Sequence, residues 1–452
     1  MNIKWALISL LVKSLKRLRG NSMLRIIETF SGIGSQVQAL ENINIEHRVV
    51  ATVEWEIGAM YAYDIMHNGP QDLRSYRHHT KESLINILEK YNLSGDGKVP
   101  LSSRSLASLP AVQLKAILCS IERTNNLVDI TSVKASNLPD TDVLTYSFPC
   151  QDLSVSGHWH NNTSGIDRDA NNRSTLLWEI ERILKEFVEE GKELPKFLLM
   201  ENVSNILSSK HIKNFKEWQS FLESLGYVNK VYTLDARNFG VPQSRIRTYL
   251  VSVLAKNEEK ANRINQYFLL NNLENVCLDK EQVTPIERYL RLDYSKKHYK
   301  IEAIESTPAF TESRKKIYEN NVILATDNVA NNKEHARTIT TKQDRHPNSG
   351  IIEYKNEELT NINKKYRNLT PRECFLLMGF KEEQYDLLME NNIEIGHGRK
   401  ILPYSKLLQL AGNSIVVQVL ESIFRQINEI NEKILNVEMH DIVEKKRVVI
   451  AV

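Results

Sequence analysis

Beginning at Arg25, short β-branched runs alternate with helical stretches, and that alternation limits the fold more than any other feature of the chain. Arg25–Phe30 (RIIETF) reads as a strand, followed by the turn Ser31-Gly32-Ile33-Gly34 and a helical stretch to about Asn42. His47–Val53 (HRVVATV) is a second strand closed by Glu54, and a helix follows to about His67. Asp142–Ser147, Lys196–Met200, Lys230–Leu234 and Arg247–Leu254 are further strand candidates, with amphipathic helices near 173–190 and 213–226 between them. Strands alternating with helices predict an α/β fold with a mostly parallel, doubly wound sheet. Residues 68–128 are less regular, with turn signals around two helical stretches. Past Leu254 the chain turns rich in Asn, Lys and Glu, strands are hard to place, and a second, smaller domain is expected. Near the end, Ser414–Ile430 carries one apolar stripe at helical spacing and resembles the first domain again.

Composition removes several classes. The 59 basic and 56 acidic side chains leave a net charge of +3, so the chain is no polycation, although a basic face can still bind nucleic acid. Cys119, Cys150, Cys277 and Cys374 form no CxxC pair, which argues against a zinc ribbon or disulfide framework, and no metal is expected. A reducing, cytoplasmic setting fits. No uninterrupted apolar run nears the ~18 residues of a membrane span. The run Ala6–Val12 is followed by Lys13, Lys16, Arg17 and Arg19 where a signal peptide needs small cleavage-site residues. Met23 stands just before the first strand, so residues 1–23 read as an N-terminal extension or a short surface helix.

Chemistry concentrates at strand ends. Phe30-Ser31-Gly32-Ile33-Gly34 puts glycines at a strand-to-helix turn, where a ligand approaches the backbone, but without the full GxGxxG fingerprint it reads by itself more readily as a plain tight turn. Glu54 ends the second strand about 20 residues later, where an acid can bond ribose hydroxyls, and Trp55 can stack on an adenine ring. Together they point to an adenosyl cofactor, against a solvated carboxylate and a core tryptophan. Pro149-Cys150-Gln151 follows an apolar strand, on the ligand side of a parallel sheet, although buried structural cysteine is the commonest fate of a free thiol. Glu201-Asn202-Val203 follows another strand, and Gln243-Ser244-Arg245-Ile246-Arg247 opens a later one.

In this order the set resembles the DNA cytosine-5 methyltransferases of bacterial restriction–modification systems, from Met23 to Ile430. The matching motifs are Phe-Ser-Gly-Ile-Gly, Glu54-Trp55, Asp129-Ile130, Pro149-Cys150-Gln151 continuing through Ser154 and Ser156, Glu201-Asn202-Val203, and Gln243-x-Arg245-x-Arg247. Arg337-Thr338-Ile339-Thr340, Asn368–Phe380 and Ala411-Gly412-Asn413-Ser414 complete them. Two features depart from the pattern: Ser35 stands where many members have a further glycine, and 68–128 is longer than compact members need.

The resemblance implies a Rossmann-like S-adenosylmethionine-binding sheet carrying a smaller target-recognition domain. It implies a catalytic domain over 24–255, target recognition and hinge over 256–399, a return to the catalytic domain over 400–435, and a tail over 436–452. It assigns Cys150 as the nucleophile at carbon 6 of a flipped cytosine, Glu201 as the proton donor at ring nitrogen 3, and Arg245 and Arg247 to the same catalytic site. The cofactor set is Phe30, Ser31, Gly32, Ile33, Gly34, Glu54, Trp55, Asp129 (at the adenine amine), Ile130, Pro149, Leu176, Asn413 and Ser414. DNA contacts fall to Gln151, Ser154, Ser156, Arg173, Lys342 and Arg345, with His346 and Asn348 as further candidates. Residues 154–173 resemble a mobile catalytic loop. Double-stranded DNA is the expected partner, with a cognate restriction endonuclease acting on the same site without stable contact.

Rival readings are a tRNA-methylating branch of the family and a DNA-binding regulator without catalysis. Members of that branch typically carry Cys-Phe-Thr in the small domain, where this chain has Val-Cys277-Leu and Glu-Cys374-Phe.

Overall fold

A computed structural model describes residues 23–149, 153, 165–168, 173–279, 282–309, 311–345, 348–355 and 365–436. In chain order the first half comprises β1 (Leu24–Thr29), α1 (Ser35–Asn42), β2 (His47–Val53), α2 (Ile57–Asn68), α3 (Lys81–Leu88), α4 (Ser103–Ser108), α5 (Ala111–Arg123), β3 (Val143–Tyr146), α6 (Leu177–Glu189), β4 (Phe197–Val203), α7 (Ile212–Ser224), β5 (Tyr227–Asp235) and β6 (Ile246–Leu254). These six strands form one sheet in the order β2-β1-β3-β4-β6-β5. The strands from β2 to β4 are parallel, and β6 runs antiparallel to both its neighbours. Reversal of β6 brings its first residues to the edge where β1, β3 and β4 end.

Both faces of the sheet are covered, so adjacent strand residues are buried on opposite sides. Ile26, Leu199 and Val251 belong to one core, while Ile27, Leu198 and Leu250 belong to another filled by Ile180, Ile183 and Leu184 of α6 and Phe215 and Trp218 of α7. This double burial explains why the strands read as near-continuous apolar runs. The departure at Ser35 has a structural use, because its buried hydroxyl accepts the Ile415 N–H at 3.3 Å and docks the returning C-terminal segment.

The segment 68–128 builds a helical layer of its own. Leu84 and Leu88 of α3, Leu106 of α4 and Leu114, Ile117, Leu118 and Ile121 of α5 pack on Ile57 and Met60 of α2. Beyond β6, α8 (Glu258–Leu270) returns to the sheet, with Phe268 edge-on to Tyr232 of β5 at 6.4 Å. α9 (Lys297–Glu305) and α10 (Glu312–Glu319) follow, and then a four-stranded sheet of β7 (Ile323–Thr326), β8 (Val329–Ala330), β9 (Ile351–Glu353) and β10 (Tyr366–Asn368), ordered β10-β9-β7-β8. Strands of two to four residues leave no alternation to read, which is why this region looked strandless in sequence.

α11 (Pro371–Leu377), α12 (Glu382–Glu390), α13 (Tyr404–Asn413) and α14 (Val417–Ile430) close the fold. By length and mean hydropathy the helical run Tyr404–Leu435 would pass for a membrane span, although polar residues interrupt it throughout. Its most apolar window is 67% buried inside the protein, so its stripe is core.

At the junction of β10 and α11, Arg367 and Glu373 form a fully buried bidentate pair at 2.8 Å on both arms. Glu373 also accepts the Thr370 and Arg291 N–H groups at 2.8 Å each. Breaking such a pair strands a charge, whereas replacing both partners removes the problem. Glu373→Gln should therefore lose about 3–5 kcal/mol in urea unfolding. The double variant Arg367→Met/Glu373→Leu should be more stable than either single change.

Candidate active site

A cavity of about 610 Å³ opens at the carboxyl edge of the large sheet. It lies beside the point where β2 and β3 leave β1 in opposite directions, the place where open α/β sheets bind ligands. Among the described residues its walls hold Phe30, Ser31, Gly32 and Ile33 after β1, Glu54 and Trp55 after β2, Asp129 and Ile130, Pro149 after β3, Leu176, Glu201 of β4, Arg245 and Arg247 at β6, and Asn413 and Ser414.

Strained backbone marks the same walls. Phe30 and Val128 adopt φ of 55° and 66°, a region that costs side-chain-bearing residues energy, most of all a β-branched one. Asn126 holds one of these turns. Its Oδ1 accepts the N–H groups of Glu54 at 3.0 Å and Val128 at 2.9 Å, and its Nδ2 donates to the Glu54 carbonyl at 2.8 Å. Gly34 is absent from the cavity walls. Its φ is 80°, and an added Cβ would lie 2.3 Å from His67 Nε2, so close packing of α1 against α2 requires this glycine.

Three carboxylates sit near the cavity in low dielectric. Burial pushes Glu54 up to about 7, although the Gly32 N–H at 3.0 Å and the Glu56 N–H at 2.9 Å both pull it down. Each Glu54 oxygen thus accepts one of these backbone bonds. Glu28, beneath the turn at the end of β1, is likewise pushed up to about 7 by burial, with the Tyr63 hydroxyl and the Val37 N–H as its donors. Burial raises Glu201 as well, opposed by Arg247 and Arg245. Glu201 pairs across the ladder with Tyr249, and Arg247 pairs with Val203, so the two stand diagonally on one face with Arg247 Nε 3.3 Å from Glu201 Oε1.

Arg245 is occupied differently. It donates to the carbonyls of Ile339 at 2.8 Å, Gly412 at 3.1 Å and Ser414 at 2.8 Å. Gln243 beside it donates to the Leu377 carbonyl and accepts the Ile339 N–H, both at 2.9 Å. At Gly412, an added Cβ would come within 2.4 Å of Thr341 N and 2.7 Å of the Thr340 carbonyl oxygen, so backbone meets backbone there.

Cys150, Gln151, Ser154, Ser156 and His346 lie outside the described residues. Pro149, immediately before Cys150, lines the cavity, and its carbonyl accepts the Ser174 hydroxyl at 2.9 Å. The backbone of Arg173 opens the short turn Arg173–Leu176. Lys342 and Arg345 are exposed. Asn348 is buried, with its amide donating to the Gln343 carbonyl and Asn368 Oδ1, which rules out an exposed contact role. Sequence reasoning missed Asn92, Asp96, Pro100 and Gln409, all cavity residues, and Lys406, which bridges Glu56 at 3.0 Å and the Gly95 carbonyl at 3.1 Å. Their signal was weak because they come from the irregular segment and a helix whose apolar stripe dominates its pattern.

Residues 109–429 match the family of C-5 cytosine-specific DNA methylases. The orphan methyltransferase M.SssI of Spiroplasma monobiae is 32% identical over 89% of this chain and 97% of its own length. The type II methyltransferase M2.ScrFI of Lactococcus lactis subsp. cremoris is 32% identical over 90% of this chain and 99% of its own. The crystal structure of the S. pombe Dnmt2 methyltransferase shares the fold, with a TM-score of 0.54 at 18% identity over 92% of this chain and all of that one.

The doubly wound sheet with its cavity at the strand ends is the fold shared with that structure. The chain belongs to the C-5 cytosine-specific DNA methylase family. Its activity is sequence-specific DNA cytosine-5 methylation, with S-adenosylmethionine as methyl donor. The cavity suits that donor in size, in its apolar walls, and in a Glu54 carboxylate that lines it.

Gly412→Ala should force the 340–341 backbone away from α13 and cost about 1–3 kcal/mol in denaturant unfolding. Affinity for S-adenosylhomocysteine, read by calorimetry, should fall with it, because Asn413 and Ser414 share the displaced wall.

Proposed function

We propose that Cys150 is the nucleophile and that the cavity divides its labour between two ends. The observation that carries this reading is one continuous cavity whose lining includes both Glu54, Trp55 and Asp129 and Pro149, Glu201 and Arg247. The first group would hold the adenosyl moiety, with Glu54 at the ribose hydroxyls, Trp55 against the ring and Asp129 at the amine. When bound there, S-adenosylmethionine supplies an electrophilic methyl group.

The second group acts on the base. Cytosine carbon 5 becomes nucleophilic once a thiolate adds at carbon 6, and a nearby cation such as Arg247 favours the thiolate. Glu201, held toward its protonated form by burial, would donate to ring nitrogen 3 as negative charge moves onto the ring. Loss of the carbon 5 proton and then of the thiolate restores the aromatic ring. Arg245, held by three carbonyls, would position β6 without meeting the base. A base inside a duplex is out of reach, so the target must flip out, at a few kcal/mol. Gln151, Ser154, Ser156, Arg173, Lys342 and Arg345 are the proposed DNA contacts. The type II name of one relative supports a restriction–modification role; a cytoplasmic setting and a cognate endonuclease acting on the same site without stable contact complete the proposal.

Covalent trapping tests the nucleophile. A duplex with 5-fluorocytosine at the target cannot lose its carbon 5 substituent as a proton, so one methyl transfer should leave it attached to the protein on denaturing gels. Cys150→Ser should abolish both adduct and turnover while retaining cofactor affinity. An active wild-type protein that gives no adduct would overturn the assignment, and preferential trapping of fluorinated tRNA would transfer it to the RNA branch.

The Glu54 role predicts a pH dependence. Ribose hydroxyls donate to an ionised carboxylate, and the free group titrates at about 7. Affinity for S-adenosylmethionine should therefore rise with pH from about 5.5 to 7, by up to ~tenfold per unit. Glu54→Gln should flatten this rise, which also separates Glu54 from Glu28, whose carboxyl would still titrate. A rise of unchanged steepness in Glu54→Gln would rule the role out.

A further inference from the structure

The irregular segment 68–128 reaches the cavity at Asn92, Asp96, Gly97 and Pro100. This stretch is pinned beside the turn after β2: the Ser94 N–H donates to the Trp55 carbonyl at 2.8 Å, and the Ile57 N–H donates to the Ser94 carbonyl at 2.9 Å. Leu93 is buried in the helical layer. Asn92 is thereby fixed relative to Glu54 and Trp55, although it is 37 residues from the side chain it touches.

That side chain is Asp129. Asn92 Nδ2 donates to Asp129 Oδ2 at 2.7 Å, and the Thr131 hydroxyl donates to the same oxygen at 2.8 Å. The Thr131 N–H donates to Oδ1 at 3.0 Å. The two Thr131 bonds are local, and any Asp-x-Thr turn can form them. The Asn92 bond is tertiary. A carboxylate offers about four acceptor positions. Among the described residues, Oδ2 has two donors and Oδ1 has one, so the remaining position is on Oδ1. Asn92, Asp129 and Thr131 all line the cavity.

We propose that Asn92 is a positioning residue for cofactor recognition: with Thr131 it saturates Asp129 Oδ2 and leaves Oδ1 as the acceptor for the adenine amino group. The inference rests on the reading that Asp129 meets that amine. It gives the insert a part in selecting the cofactor. Its chemistry is amide-to-carboxylate, so a neutral donor at 92 supports Asp129 and a second carboxylate there opposes it.

The test uses the full-length protein and two ligands, S-adenosylhomocysteine and its analogue lacking the 6-amino group, with affinities from calorimetry. Wild type should prefer the amino-bearing ligand. Asn92→Ala should reduce that preference about three- to tenfold, wholly through weaker binding of S-adenosylhomocysteine, the size expected for one ordinary hydrogen bond. Asn92→Asp should reduce it further, because a second carboxylate donates no bond and repels Asp129. Asp129→Ala should abolish the preference. If Asp129→Ala keeps the wild-type preference, the adenine reading of Asp129 is wrong and the inference fails with it. If Asp129→Ala abolishes the preference while Asn92→Ala retains it, the reading of Asp129 stands and the inference alone is overturned. Equal weakening of both ligands by Asn92→Ala would also overturn it, because a plain wall residue does not distinguish them.

Discussion

The cavity depends on Arg245. A buried guanidinium is costly unless its donors find acceptors. Here those acceptors are the carbonyls of Ile339, Gly412 and Ser414, from two segments that have no strand in common with β6. Gln243 adds a fourth contact on the carbonyl of Leu377. Two side chains at the start of one reversed strand thus gather the end of the small domain and the returning C-terminal helices around the sheet edge. Gly412 is the steric counterpart, because the chain segments pulled together meet backbone to backbone.

Around that clamp the site keeps charge in low dielectric. Glu54 and Glu28 are both lifted to about 7 by burial, one in the cavity wall and one beneath the turn. Glu201 is lifted too, and the arginines beside it keep the shift in check. A group that gains donors from a ligand can then change protonation on binding, which ties cofactor affinity to pH in a way a solvated acid would not. Strain at Phe30 and Val128 is held in the same walls, and Asn126 bridges the Glu54 turn to Val128. The backbone that faces the ligand is therefore set before any ligand arrives.

Much of the fold was legible because its strands are long, apolar and separated by helices. β2 spans His47–Val53 as read, and the other large-sheet strands differ from their readings by a few residues at the ends. The reversed direction of β6 was not legible, since strand direction leaves no periodic mark. In the small domain, strands of two to four residues are shorter than the pattern needed to detect them. Asn348 read as a candidate DNA contact because its burial follows from partners at 343 and 368, which its immediate sequence does not announce.

By itself the sequence determined the family and the strand-end motifs, because residues that must meet one ligand at one sheet edge recur at strand ends in a fixed chain order. It also placed Glu54 and Pro149 beside their strands, since Glu54 follows β2 directly and Pro149 comes three residues after β3. Tertiary structure alone decided that Arg245 clamps backbone, that Gly34 serves helix packing, and that Asn92 and Asn126 support Asp129 and Glu54 from 37 and 72 residues away. Those roles are long-range hydrogen bonds and steric contacts, and a chain reveals them only once folding has brought its distant segments within about 3 Å.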